Sequence, residues 1–369
     1  MEKKTCILIM PALFSGGAEK QYRYIMNEVS DSENRVIVLL LNSPAESEKE
    51  ITEKFIENHP NIEFYQLDGR VMLTAKKGLT VKYEKLKCFF KQEKWIRKFL
   101  KENKVDIVMF SYVTQLLLVP IFKRYGIKTV FNERNTGRQI CDKKFKKALL
   151  KKCDRVVANS KYAAQYVKNA IGIDVAVINN GIEDRKLEKE EHSGFNVLIP
   201  ARITRIKNQM VAVRALQYLN DIPIKIYLAG GIEDQGYFDE LRTESEKLQI
   251  LDKIEFCGYV KNMPQLYAMT DLVVLPSYEE GTPNVLLEAY LYGIPAVASN
   301  IPMNTDCVVN SEMLFEPDNA QALAERIRCV ARKMKTENIE KICEENLSFV
   351  KENYSMEALK KRYNALLFS

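Results

Sequence analysis

The apolar run Leu272-Val273-Val274-Leu275 passes directly into Pro276-Ser277-Tyr278-Glu279-Glu280-Gly281-Thr282-Pro283-Asn284-Val285-Leu286-Leu287-Glu288-Ala289, and this passage decides the fold. Four successive apolar residues suit a strand buried on both faces. Thr282 suits a helix N-cap and Pro283 a first helical position. A helix is therefore expected to start at the carboxyl end of a strand, with the N–H groups near Asn284 and Val285 directed outward. Glu280 precedes that helix, and Glu288 sits inside it about 9 Å further along at 1.5 Å per residue. Two carboxylates so placed can hold hydroxyls at opposite ends of one extended ligand. Glu280 also fits a simple loop charge, whereas Glu288, in an apolar helix, is costly without a partner.

The same strand-then-helix alternation runs through the chain. Thr5–Met10, Arg35–Leu41, Val105–Phe110 and Lys128–Phe131 read as strands in the first half; Asn196–Pro200, Ile224–Ala229, Lys253–Phe256, Leu272–Leu275 and Ala296–Ser299 do so in the second. Helical patterns such as Met210–Leu219 and Phe238–Leu248 separate them. The expected fold class is α/β, with two Rossmann-like doubly wound parallel sheets facing a central cleft. The polar stretch 183–194 reads as a linker between domains at 1–182 and 195–350.

At 369 residues, 46% of them apolar and 28% charged, the chain has the size and composition of a two-domain globular protein. The stretch Phe110–Phe122 is too short and too polar to cross a bilayer of about 30 Å, and Cys6–Met10 fits a first strand better than a signal peptide. The expected compartment is the cytoplasm. The eight cysteines lack the spacing of a zinc or redox pair, there are only two histidines, and no Asp-x-Asp occurs. Phosphate chemistry is thus expected to rely on the protein's own cations, with neither metal nor cofactor.

Two further groups of residues suit anionic ligands. Gly16 and Gly17 follow the first strand and open a helical stretch from Lys20 to Val29, an arrangement that brings backbone N–H groups to an anion and that also fits an ordinary tight turn. Arg202 and Lys207 follow the strand Asn196–Pro200, with Asn208 in position to cap the next helix. A diphosphate needs such charge-assisted donors; a solvated basic loop has the same look.

Taken together, these residues resemble glycosyltransferase family 4, the retaining transferases of GT-B fold, over essentially the whole chain. Glu280 and Glu288 match its Glu-x7-Glu, Arg202 and Lys207 its paired cations, and Gly16-Gly17-Ala18-Glu19 its N-terminal glycine loop. Supporting matches are Asn180-Gly181-Ile182, Ala229-Gly230-Gly231, Phe256-Cys257-Gly258-Tyr259-Val260 and Tyr292–Ser299. The resemblance implies that Glu288 binds ribose hydroxyls, that Arg202 and Lys207 bind the diphosphate, and that Glu280 meets the transferred sugar. It makes Glu280, Arg202 and Lys207 the catalytic set. Gly16 and Gly17 would approach the phosphates, Gly258, Tyr259 and Val260 the base, and Gly281, Thr282, Pro283, Asn284 and Val285 would complete the donor site. A C-terminal helix in 351–369 would return to the first domain. Where many relatives carry a histidine after the strand Lys128–Phe131, this chain reads Asn132-Glu133-Arg134, which would face acceptor or donor sugar or form a surface ion pair.

The implied reaction is transfer of a sugar from a nucleoside diphosphate, UDP by default, to a glycan or lipid-linked acceptor in bacterial surface-polysaccharide assembly. The alternatives are a sugar-nucleotide 2-epimerase of the same fold and a bilobal sugar-binding protein; a nicotinamide dehydrogenase lacks its Gly-x-Gly-x-x-Gly. No nucleic-acid partner is expected. Charge adds one expectation: residues 1–180 carry 33 Lys+Arg against 20 Asp+Glu, and 70–152 carry 23 against 6. Within them Lys143-Lys144, Lys146-Lys147 and Lys151-Lys152 flank Phe145, Ala148, Leu149 and Leu150, the pattern of a basic helix lying on an anionic membrane, or of lysines that are merely solvated.

Overall fold

A computed structural model describes residues 3–14, 17–30, 34–67, 79–184, 187–334 and 338–368. The chain divides into two compact units, one of Met1–Gly181 with Met356–Ser369 and one of Ile182–Ser355.

In the first unit, seven parallel strands are β1 (Thr5–Met10), β2 (Arg35–Leu40), β3 (Ile62–Gln66), β4 (Ile107–Phe110), β5 (Lys128–Glu133), β6 (Arg155–Ala158) and β7 (Ala176–Val177), in the order β3-β2-β1-β4-β5-β6-β7. Between them run α1 (Gly17–Ser30), α2 (Lys49–Glu57), α3 (Leu79–Glu102), α4 (Val119–Arg124), α5 (Arg138–Cys141), α6 (Lys144–Leu150) and α7 (Lys161–Ile171). β1, β2 and β4 are buried almost throughout, so they read as unbroken apolar runs. The order reverses between β1 and β4, and a crevice at the carboxyl ends of strands is expected at such a point.

The second unit has six parallel strands: β8 (Phe195–Ile199), β9 (Ile224–Ala229), β10 (Ile254–Gly258), β11 (Leu272–Leu275), β12 (Ala296–Ser299) and β13 (Leu314–Phe315), ordered β10-β9-β8-β11-β12-β13. Its helices are α8 (Gln209–Ala215), α9 (Gln235–Lys247), α10 (Met263–Ala268), α11 (Asn284–Leu291), α12 (Pro302–Thr305), α13 (Ala320–Lys333) and α14 (Asn338–Tyr354). Here the order reverses between β8 and β11, and the loops after these two strands carry Arg202, Lys207 and Glu280.

The last helix, α15 (Met356–Phe368), belongs to the first unit. Leu359, Tyr363, Leu366 and Leu367 join the core cluster beneath β1, β2 and α1, and Lys4 Nζ donates to the Phe368 carbonyl at 2.7 Å. The return begins at Met356 rather than 351, because α14 runs on to Tyr354, which is buried with its hydroxyl beside Cys307 Sγ. The described residues of 183–194 are likewise held on the second unit instead of linking freely. Leu187 packs on its core, Lys189 Nζ donates to the Thr270 carbonyl at 2.9 Å, and Glu190 N–H donates to Ala268 O at 3.0 Å.

Candidate active site

At the carboxyl end of β8 the chain turns through Ala201 and Arg202 into a 3-10 turn, Arg205–Lys207. The turn is held from below. Gln209 donates to the Arg202 carbonyl at 2.9 Å, and Ile203 bridges to Ile232. A Cβ on Gly230 would lie 2.2 Å from Ala201 O, so the loop after β9 closes on this turn only because residue 230 is glycine. Asn208 stands in left-handed conformation at φ 50° between the turn and α8. It does not cap α8 with its side chain as expected; its amide instead donates to the Pro317 carbonyl at 2.8 Å.

The cations of this loop meet carboxylates. Lys207 Nζ lies 2.7 Å from Glu280 Oε1, with the two side chains only 19% and 11% exposed, and Ser277 Oγ donates to the same oxygen at 2.6 Å. An ion pair this withdrawn from water holds its geometry better than a surface pair. Arg202 pairs with Glu233, both well exposed. The structure thus joins β8's loop to the loop after β11 through charged groups that a ligand can exchange for its own.

α11 begins at Asn284, not Pro283. Pro283 takes the cap position with φ −76° and ψ 68°, and the Asn284 N–H donates to Thr282 O at 2.8 Å instead of pointing outward. The Thr282 carbonyl is spent on the Asn284 N–H two residues on, and the first carbonyl to accept from the helix is that of Pro283, from Leu286 N at 2.9 Å and Leu287 N at 3.4 Å. Glu288, the fifth helical residue, accepts from Tyr267 OH at 3.3 Å. Burial, and then the charge of Glu288, push the Tyr267 hydroxyl well above its usual range, so it remains a proton donor that orients the carboxylate. Gly258 closes β10 at φ 61°, a left-handed turn that favours glycine. Tyr259 beside it is 79% exposed, and Val260 packs on the core around β11 and α11. Among the described residues no three His, Cys, Asp or Glu side chains gather as a metal site would need.

Family comparison decides what this arrangement belongs to. A model described as Glycosyltransferase Family 4 matches residues 15–186, and one described as Glycosyl transferases group 1 matches 182–346. The chain belongs to glycosyltransferase family 4. Among its curated relatives is the Campylobacter jejuni GalNAc-alpha-(1->4)-GalNAc-alpha-(1->3)-diNAcBac-PP-undecaprenol alpha-1,4-N-acetyl-D-galactosaminyltransferase, 25% identical over 94% of this chain and 96% of that protein. The Staphylococcus aureus capsular polysaccharide biosynthesis glycosyltransferase CapH is 24% identical over 62% of this chain and 69% of its own length. Solved structures agree on the fold. A Rickettsia africae glycosyltransferase superposes with TM-score 0.80 at 20% identity, covering 99% of this chain and 98% of that one. Anabaena HepE in complex with UDP superposes with TM-score 0.76 at 18% identity, covering 98% and 99%. Two Rossmann-like parallel-sheet domains of GT-B type follow, and the protein is an enzyme.

In the transferase's first unit, Gly17 opens α1, and Gly16 lies outside the described residues. Asn132 and Glu133 end β5, and both they and Arg134 are buried. Asn132 Nδ2 donates to Tyr363 OH at 2.9 Å, and the Arg134 guanidinium donates to Asn180 and Tyr363. Glu133 accepts from the backbone of Asn135 at 2.7 Å and from that of Gly137, while burial raises its carboxyl above the usual range. The surface ion pair weighed from sequence is therefore absent at these positions: the groups tie β5 to α15 and to the end of the first unit's main segment.

Sequence reasoning missed Ser277, Glu233 and Tyr267, whose partners lie 3, 31 and 21 positions away. Only Ser277 stood inside a quoted motif. It also missed that Glu19, quoted within the glycine loop, is buried and accepts from Tyr112 OH.

Proposed function

We propose that this transferase is retaining and metal-independent, and that it moves a sugar from a UDP-linked donor held by its second unit to a lipid-linked glycan in surface-polysaccharide assembly. The observation that carries the reading is the Lys207–Glu280–Ser277 cluster beside Arg202, at the carboxyl ends of the two strands where the sheet order reverses. A diphosphate brings about two negative charges, and Arg202 and Lys207 are the cations that meet them, each able to exchange a carboxylate partner for phosphate oxygens. As the glycosidic C–O bond to the diphosphate breaks, negative charge grows on the leaving oxygen. The two cations stabilise it in a state with oxocarbenium character. The same oxygen takes the proton of the acceptor hydroxyl as that hydroxyl bonds to the anomeric carbon on the same face, so atoms and charge balance without a protein base. Glu280 then turns to the transferred sugar's hydroxyls, while Glu288, oriented by Tyr267, receives the ribose.

The donor choice is supported by the UDP complex of the Anabaena structure and by a partial relative in Escherichia coli, a UDP-Gal:alpha-D-GlcNAc-diphosphoundecaprenol alpha-1,3-galactosyltransferase, 27% identical over 37% of this chain. The acceptor class is supported by the undecaprenol in both galactose-type transferases' names. Peripheral contact of the first unit with an anionic membrane is part of the same reading; among the described residues no helix is long and apolar enough to cross one. The test is incubation in EDTA with a panel of UDP-sugars and undecaprenyl-diphosphate saccharides, followed by NMR of the product. Transfer with the donor's anomeric configuration kept supports the proposal. Inversion refutes the mechanism, and epimerised donor without acceptor-dependent UDP release refutes the transfer.

A further inference from the structure

The basic segment that the sequence singled out, Lys143–Lys152, forms only the seven-residue α6. Its means of attachment are largely spent: Lys146 is tied to Asp142 and to the Gln139 carbonyl, Lys147 reaches the Ala170 carbonyl at 3.3 Å, and Leu150 is buried. A different surface of the first unit has what α6 lacks. On the 24-residue α3, Tyr83, Leu86 and Phe90 are 68%, 53% and 56% exposed. At 100° per residue they share an arc of about 60°, roughly 140° from the face on which Cys88, Gln92, Ile96, Phe99 and Leu100 are buried. Three large apolar side chains aligned outward at i, i+3 and i+7 cost the protein hydration free energy unless something covers them.

The charges around this stripe identify the cover. Lys87, Lys91, Lys94, Lys98 and Lys101 are exposed on α3, with Lys85 partly so. Against them stand Glu84 and Glu102, the latter 3.9 Å from Lys98, and Glu93, which is engaged by Arg97. A second copy of this face would set lysine against lysine, and a nucleic acid would leave the apolar stripe in water. An anionic bilayer satisfies both: headgroups meet the lysines, and the rings and leucine enter the acyl boundary. The inner side of α3 adds a reason for this placement. Phe90 packs edge-on against Phe89, ring centroids 5.9 Å apart at an interplanar angle of 65°. Phe89 and Gln92 in turn wall a pocket of about 360 Å³ at the carboxyl ends of β1, β2 and β4, lined also by Ala12, Leu41 and the Glu19–Tyr112 pair. We propose that the outward face of α3, through Tyr83, Leu86, Phe90 and its lysines, docks the first unit on an anionic lipid bilayer, beside the pocket that this helix walls.

This inference rests on the reading of the acceptor as lipid-linked, and its test is separable from that reading because vesicle binding requires no sugar transfer. The full chain is sedimented with phosphatidylcholine vesicles with and without phosphatidylglycerol, at low and high salt. Wild type is expected to bind only the anionic vesicles and to leave them as salt rises. The triple variant Tyr83→Ser/Leu86→Ser/Phe90→Ser is expected to lose about tenfold or more in partitioning, with an unchanged melting temperature because the side chains are exposed. Lys87→Gln/Lys91→Gln/Lys94→Gln should lose the preference for anionic lipid, while Phe145→Ser on α6 should bind like wild type. The proposal is overturned if wild type ignores phosphatidylglycerol, if the triple variant binds undiminished, or if sedimentation velocity shows the stripe joining two copies while vesicles are ignored.

Discussion

The carboxyl edges of the two sheets hold polar residues in opposite ways. In the second unit, Lys207 and Glu280 are partly withdrawn from water, Arg202 and Glu233 stand well exposed, and each cation faces one carboxylate. In the first, Asn132, Glu133 and Arg134 are buried and engage Tyr363, Asn180 and backbone N–H groups. An exposed pair such as Arg202–Glu233 can be exchanged for a ligand's charges at little cost, whereas a buried network loses stability with any missing partner. The difference teaches that similar sequence signals, a cation and a carboxylate near a strand's end, divide between one-to-one ion pairs and a buried hydrogen-bonded network according to their depth.

The comparison predicts that substitutions on the two edges fail in different assays. Lys207→Ala and Arg202→Ala should each lower turnover by about 10²–10³-fold with melting temperatures near wild type. Rates within threefold of wild type at saturating donor would break the contrast from the second unit's side. Arg134→Ala should act mainly on folding, with a loss of about 2–4 kcal/mol in denaturant unfolding from an emptied buried site and the guanidinium donors lost to Asn180 and Tyr363. If it unfolds like wild type while turnover collapses, Arg134 belongs to the reaction rather than to the frame.

Within the second unit the two carboxylates sharpen the account further. Glu288→Ala should weaken UDP binding by about tenfold or more, as a hydrogen bond to a charged group lost from ribose. Glu280→Ala should leave UDP affinity nearly intact and slow transfer. Equal affinity losses in calorimetry would remove the division of labour.

How far these residues were legible follows from where their partners lie. β1, β9, β11 and β12 have the bounds read from sequence: β1, β11 and β12 are buried on both faces and appear as apolar runs, and β9 alternates buried residues with half-buried Lys225 and Tyr227. β6 opens on exposed Arg155, β7 is two exposed residues and β13 only two, so each falls below any periodic signal. Arg202, Lys207, Glu280 and Glu288 were visible by type and spacing, but Glu233 and Tyr267 reach Arg202 and Glu288 from separate elements. Local capping rules misassigned Asn208 and Thr282: the Asn208 side chain is held by its amide on the distant Pro317 carbonyl, and the Thr282 carbonyl meets the Asn284 N–H, so the helix starts one residue later. Glu133 read as an acid beside a sugar, and its burial with backbone N–H partners at the end of β5 was not legible from residue type.

The smallest expected effect concerns that depth. Burial raises the Glu133 carboxyl in the folded state, so the folded protein binds its proton more tightly than the unfolded chain. The stabilisation is fully present below the unfolded carboxyl's pKa and is lost as pH rises through the raised folded value. Glu133→Gln should therefore flatten the decline of stability above the ordinary carboxyl range, as followed by thermal melts across pH. A slope unchanged from wild type would mean that Glu133 is solvated.

The central claim is that the second unit's own cations hold the donor diphosphate. Calorimetric titration of UDP in EDTA, into wild type, Arg202→Ala and Lys207→Ala, tests it most directly. The account predicts binding to wild type without metal and a loss of about 10- to 100-fold in each variant, the worth of one charge-assisted contact. Binding that requires Mg²⁺, or that both variants retain in full, would contradict it.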